Sequence, residues 1–147
     1  MGVLSELVAA PRDEASEVAS ESEPISRWNG FSFKGLDNVK IGTLLSLIRS
    51  GDAYLGFEAT LDSIAVVSEP TDECSLVFVV ENGDLETLAS VAQFGDEEFG
   101  ALSKQWSETE EFEGWSTGDV DELLRSITDL AESAVLEKNC LFLWIAL

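Results

Sequence analysis

The chain contains no histidine. Imidazole is the side chain that most readily exchanges a proton near neutral pH, and it is the commonest neutral metal ligand. Its absence excludes Ser–His–Asp and Cys–His nucleophilic centres and the histidine-ligated zinc hydrolase motifs. Positive charge is scarce as well. Lys and Arg number 8 against 29 Asp and Glu, for a formal net charge of -21. The eight bases, Arg12, Arg27, Lys34, Lys40, Arg49, Lys104, Arg125 and Lys138, are scattered singly. Phosphate backbones and anionic lipid surfaces are gripped by clusters of Lys and Arg. Neither direct nucleic-acid binding nor membrane binding is therefore expected.

Other shortages narrow the class further. No apolar run approaches the length of about 18 residues that a membrane span needs. The opening MGVLSELVAA has no basic region of the signal-peptide kind, and Glu6 stands where a myristoylation pattern wants Ser or Thr. Cytoplasmic location is the expectation. Cys74 and Cys140 are the only cysteines; both lie in apolar, strand-like runs without metal-type spacing and read as reduced core thiols. No GxGxxG or GxxxxGK[ST] pattern occurs, so no nucleotide cofactor is expected. Gly30 and Gly35 suit turns, and Gly42 is a tolerated helix residue. No sequence repeat is visible.

What is present suffices for one domain. The chain has 147 residues, 45% of them hydrophobic, enough to bury a sizeable core without metal or disulfide. Residues 1–26 are the exception. Asp13, Glu14, Glu17, Glu21 and Glu23 alternate there with Ser and Ala, and the segment reads as a flexible acidic N-terminal arm. Residues 27–147 read as a single α+β globular domain.

Within it, Phe31 and Phe33 alternate with polar neighbours after an Asn29-Gly30 turn, which predicts a short strand. Ile41, Leu44, Leu45 and Ile48 form one helical face over 38–49, with Asp37 or Asn38 as cap and Gly51 as stop. Leu55, Phe57, Ala59 and Leu61 alternate with Gly56, Glu58, Thr60 and Asp62, which predicts a half-buried strand over 54–62. Further strands are expected over 64–67, 75–80 and 140–145. Asp84 is the expected cap of a helix through Ala92. A second helix is expected over 97–107, and the strongest stripe, Val120 to Ala134, predicts a helix over 117–137 capped by Ser116 or Thr117. The sum is a mixed, largely antiparallel sheet of four to five strands with three to four helices.

The chemistry left to such a chain is that of carboxylates. Glu108, Glu110, Glu111 and Glu113 crowd one loop, with Trp106, Phe112 and Trp115 among them. Aromatic residues anchor interfaces, and acids around them suit a basic surface. These seven residues are the expected partner-binding set; the competing assignment has Trp106 closing the core and Phe112 or Trp115 plugging the loop onto it. No catalytic residue, metal ligand or cofactor is expected. The cluster lacks the alternating ligand and glycine order of a calcium loop. The favoured function is a small acidic, non-enzymatic binding protein (an inhibitor, an immunity or antitoxin-type protein, or an adaptor) that meets a basic protein partner. The alternatives are a soluble housekeeping domain adapted to high salt, and a carboxylate-based metal-dependent enzyme, including one that holds substrate through Lys34 and Tyr54.

Overall fold

The structure is a computed structural model and describes residues 4–68 and 75–146. Its centre is one five-stranded sheet in which every pairing is antiparallel, in the order β2-β1-β5-β4-β3. The strands are β1 (Leu4–Ala10), β2 (Asn29–Lys34), β3 (Ala65–Ser68), β4 (Leu76–Val80) and β5 (Cys140–Ile145). Six α-helices join them among the described residues: α1 (Ala15–Ser20), α2 (Asn38–Ser50), α3 (Phe57–Ser63), α4 (Asn82–Ser90), α5 (Asp96–Ser107) and α6 (Thr117–Glu137). This is an α+β domain, with more helices than the sequence pattern predicts.

The alternation of strand side chains divides the core in two. Leu7, Ala9, Phe78, Val80, Leu141, Leu143 and Ile145 face the larger half, where α2, α4, α5 and α6 pack. Val8, Ala10, Val77, Val79, Phe142 and Trp144 face the smaller half, closed by Val18 and Ala19 of α1. Helix α6 braces the larger half. It buries Val120, Leu123, Leu124, Ile127, Leu130, Ala131 and Ala134 along one stripe, and each large aliphatic chain so covered contributes about 1.5–3 kcal/mol. Ser116 caps its start by accepting the Asp119 N–H at 3.1 Å. Asp37 does the same for α2, accepting the Lys40 N–H at 2.9 Å, and Gly51 ends that helix in the left-handed conformation at φ 78°.

Three sequence expectations are corrected here. The described part of the expected arm, residues 4–26, is not a loose arm, because Leu4–Ala10 lies inside the sheet between β2 and β5. The two polar residues that interrupt its apolar run are buried, Ser5 at 1% and Glu6 at 3% exposure. Each has a partner distant in sequence: Ser5 Oγ donates to the Leu36 carbonyl and Glu6 Oε1 accepts the Ile25 N–H. The acids that follow decorate α1 and its flanking turns, which cover the smaller half of the core.

The strand expected over 54–62 is instead a tip followed by α3. Phe57 and Leu61 stand one helical turn apart and pack on α2 at Gly42, where a Cβ would meet Leu61 Cδ2 at 3.0 Å and Phe57 Cε1 at 3.1 Å. Gly42 is thus the close-approach point of two helices rather than a merely tolerated residue. Finally, α4 starts at Asn82, with Glu81 in the N-cap position. Asp84 lies within that helix and does not cap it.

Cys140 is a free, half-buried thiol, and Cys74 lies outside the described residues. Burial, with the nearby Glu81 carboxylate, pushes the Cys140 thiol above its ordinary pKa, so it stays protonated near neutrality. Among the described residues no helix is long and apolar enough to cross a membrane.

Candidate functional site

The seven residues singled out by sequence separate into two layers. Trp106 and Phe112 belong to the core, with 0% and 1% exposure. The Trp106 indole N–H donates to the Lys40 carbonyl and to Thr43 Oγ1, both at 3.1 Å, and its ring meets Phe112 edge-on at 4.7 Å. Neither side chain is available as a surface anchor. The physical reason is amphipathic spacing: Phe99, Leu102 and Trp106 share the buried face of α5, and the 3-10 turn Glu110–Phe112 folds Phe112 back onto it.

Trp115 is intermediate. It is half-buried, stacks on Phe33 of β2 at 5.5 Å and meets Phe112 edge-on at 4.9 Å. The Lys40 ammonium sits 5.4 Å from the Phe112 ring centre and 5.5 Å from that of Trp115, with the Asp37 carboxylate 3.8 Å away. A single base from α2 therefore contacts the acidic loop through the Phe112 and Trp115 ring faces, while Asp37 of its own helix cap holds the ammonium. The loop is held in place while Glu108, Glu110 and Glu113 remain exposed.

The outer layer has a member outside the seven expected residues. Tyr54, in the tip between α2 and α3, donates its hydroxyl to Glu111 Oε2 at 3.1 Å. Asp52 turns the tip by accepting the Tyr54 N–H at 2.9 Å. Glycines in the left-handed conformation bound it, Gly51 at φ 78° and Gly56 at φ 73°. Tyr54 and Leu55 are consequently displayed, with 49% and 64% exposure. Burial is the first cause that raises the Tyr54 hydroxyl above the ordinary tyrosine pKa. The hydrogen bond to Glu111 adds to it; a Glu110 backbone contact works the other way, and the charges of Glu111 and Glu110 add a smaller rise.

Beside the tip lies a cleft of about 350 Å³. Leu47 and Ala53 give it apolar surface, Tyr54, Gln105 and Thr109 wall it, and Asp52, Glu108 and Glu110 supply carboxylates. Such a site can offer negative charge and an aromatic face. Among the described residues no group of three or more Cys, Asp or Glu side chains is placed to hold a metal ion. Lys34, which ends β2, is exposed and is not among the residues around this cleft.

The chain matches no family model, no curated protein and no solved structure. Sequence reasoning found Glu108, Glu110 and Glu111, named Tyr54 only as a substrate contact paired with Lys34, and missed Asp52 and Leu55. The signal for them was the Gly51…Gly56 bracket around an aromatic-aliphatic pair, which the period-two pattern of 54–62 obscured.

Proposed function

We propose that this chain is a small acidic, non-enzymatic binding protein of the cytoplasm, an inhibitor, immunity or antitoxin-type protein, or adaptor, that engages a basic protein surface. The observation that carries this reading is the adjacency of displayed Tyr54, with exposed Leu55 next to it in the chain, to the carboxylates of Asp52, Glu108, Glu110 and Glu111. An exposed aromatic with charge around it has the anatomy of an interface anchor and its rim. The net charge of -21 adds long-range steering toward a basic partner. The test is affinity capture at low salt with the intact chain and with a variant carrying Glu108→Gln, Glu110→Gln, Glu111→Gln and Glu113→Gln together. The expected outcome is one stoichiometric basic protein, released by salt and lost with the variant. Recovery of no stoichiometric partner, or equal recovery by the variant, overturns the reading.

A second reading has its own support. Exposed carboxylates are spread over α3, α4, α5 and α6 as well as the acidic loop. Even coverage is what solubility in a salt-rich cytoplasm asks for, and it assigns the Tyr54 cleft no partner.

A further inference from the structure

We propose that the cleft beside Tyr54 receives a single arginine side chain of the basic partner, an inference that rests on the protein-binding reading above. Leu47, Ala53 and the Tyr54 ring supply apolar surface for the methylene stem. The acidic lining residues come from separate places in the chain, Asp52 from the tip and Glu108 and Glu110 from beyond the end of α5. A planar fork with five donors can engage more than one of these carboxylates at once, which favours a guanidinium over a compact ammonium. The Tyr54 ring is tethered through its hydroxyl to Glu111 and half-exposed, so a guanidinium can lie against its face. Among the described residues no base supplies that charge from within: Lys104 and Arg49 are the nearest in sequence to the lining residues, and neither lines the cleft. Arg49 is already bound to Asp84.

The probe is a blocked tripeptide, acetyl-Gly-Arg-Gly-amide, titrated into the full-length isotope-labelled chain and followed by amide chemical shifts, with the lysine peptide as comparison. The expected result is saturable shifts confined to residues 51–55 and 105–111, with arginine bound about threefold or more tighter than lysine. Tyr54→Ala and Glu108→Gln should each weaken binding by about fivefold, the scale of one exposed charge-assisted or ring contact. Glu97→Gln, at the far end of α5, should leave it unchanged. The amide spectrum of each variant reports that the fold is intact. Shifts that never saturate, that spread over every acidic helix, or that respond equally to Glu97→Gln overturn the proposal. If the peptide fails while the low-salt partner is still captured, the arginine assignment falls alone. If no stoichiometric protein is captured yet the peptide saturates, the partner reading falls and the cleft remains an arginine site.

Discussion

Arg49 Nη2 lies 2.6 Å from Asp84 Oδ1, joining the end of α2 to the first turn of α4. The other carboxylate oxygen accepts from Ser63 Oγ at 2.6 Å, which brings in the end of α3. The same guanidinium nitrogen donates to Thr87 Oγ1 at 3.1 Å. Asp84 has a side chain only 8% exposed, whereas Arg49 is 40% exposed. The carboxylate is therefore the costly member to strand, and the arginine can rehydrate. Asp84→Ala should lower the unfolding free energy by about 1–3 kcal/mol in urea titrations. Arg49→Ala, which leaves the buried carboxylate without its cation, should cost at least as much. Free energies unchanged in both variants would show that the network contributes nothing to holding α3 and α4 on α2.

Trp106 and Trp115 are separated by eight residues and by their place in the fold. Trp106→Ala opens a core cavity and should cost about 3–5 kcal/mol. Trp106→Phe keeps most of the volume but removes the indole N–H from Thr43 and the Lys40 carbonyl, for about 1–2 kcal/mol. Trp115→Ala loses only the contacts with Phe33, Phe112 and Lys40 at a half-exposed site, about 1–2 kcal/mol. Chemical denaturation ranks the three. A loss for Trp106→Ala no larger than that for Trp115→Ala contradicts the burial assigned here.

The first strand makes a different demand on the chain. Gly30 of β2 crosses β1 so closely that an added Cβ would overlap the Leu7 carbonyl oxygen, with Val8 Cα only 2.8 Å away. Gly30→Ala should force the two strands apart and destabilise by about 1–3 kcal/mol. Removing residues 1–10 should abolish cooperative unfolding, since β5 would lose a neighbour on one side. A truncated chain that melts like the full one would restore the reading of this segment as an arm.

These corrections show what periodicity carries and what it conceals. The helix of 117–137 is legible end to end, because one apolar stripe, a Ser116 cap and a clear stop agree. The run over 75–80 is legible because it is buried on both faces. β1 was not, because Ser5 and Glu6 look like surface residues until Leu36 and Ile25 are folded against them. Nor was α3, where Leu55, Phe57, Ala59 and Leu61 satisfy a strand period while Phe57 and Leu61 alone satisfy a helical one, and packing at Gly42 decides. The site was half legible for the same reason. Glu108 to Glu113 are adjacent in sequence, but Tyr54 reaches Glu111 across 57 positions, and no local pattern encodes that meeting.

Tyr54 is the only tyrosine, so ultraviolet titration of phenolate reports it alone. Its pKa is raised in the folded chain by burial first and then by the Glu111 hydrogen bond and nearby charges. A raised folded value means the hydroxyl's contribution to stability is complete below the unfolded tyrosine value, near about 10. That contribution is lost as pH climbs through the folded value. The folded chain should therefore ionise later than the chain in denaturant, and Glu111→Gln should move the midpoint back down. Identical midpoints in the folded wild type and in Glu111→Gln would mean that the bond between them does not form in solution.

Salt separates the two functional readings. Among the described residues four ion pairs form, Arg12–Glu81, Lys40–Asp37, Arg49–Asp84 and Arg125–Asp121, against a net charge of -21. Like-charge repulsion must then oppose folding, and added salt must relieve it. Relief by screening alone ends once the screening length falls below the spacing of surface carboxylates, and it is already down to about 3 Å at 1 M. For a binding protein whose acidity serves a partner, the melting temperature should rise with KCl and level off below about 1 M. In a salt-adapted domain it keeps climbing steeply through molar concentrations, because there the carboxylates act by holding hydrated cations in addition to being screened. A melting series in KCl, repeated with the Glu108, Glu110, Glu111 and Glu113 to Gln variant, measures both effects. Early levelling, together with a variant that starts more stable at low salt and converges with the wild type at high salt, supports the binding protein; an unbroken climb in both chains supports the salt-adapted domain.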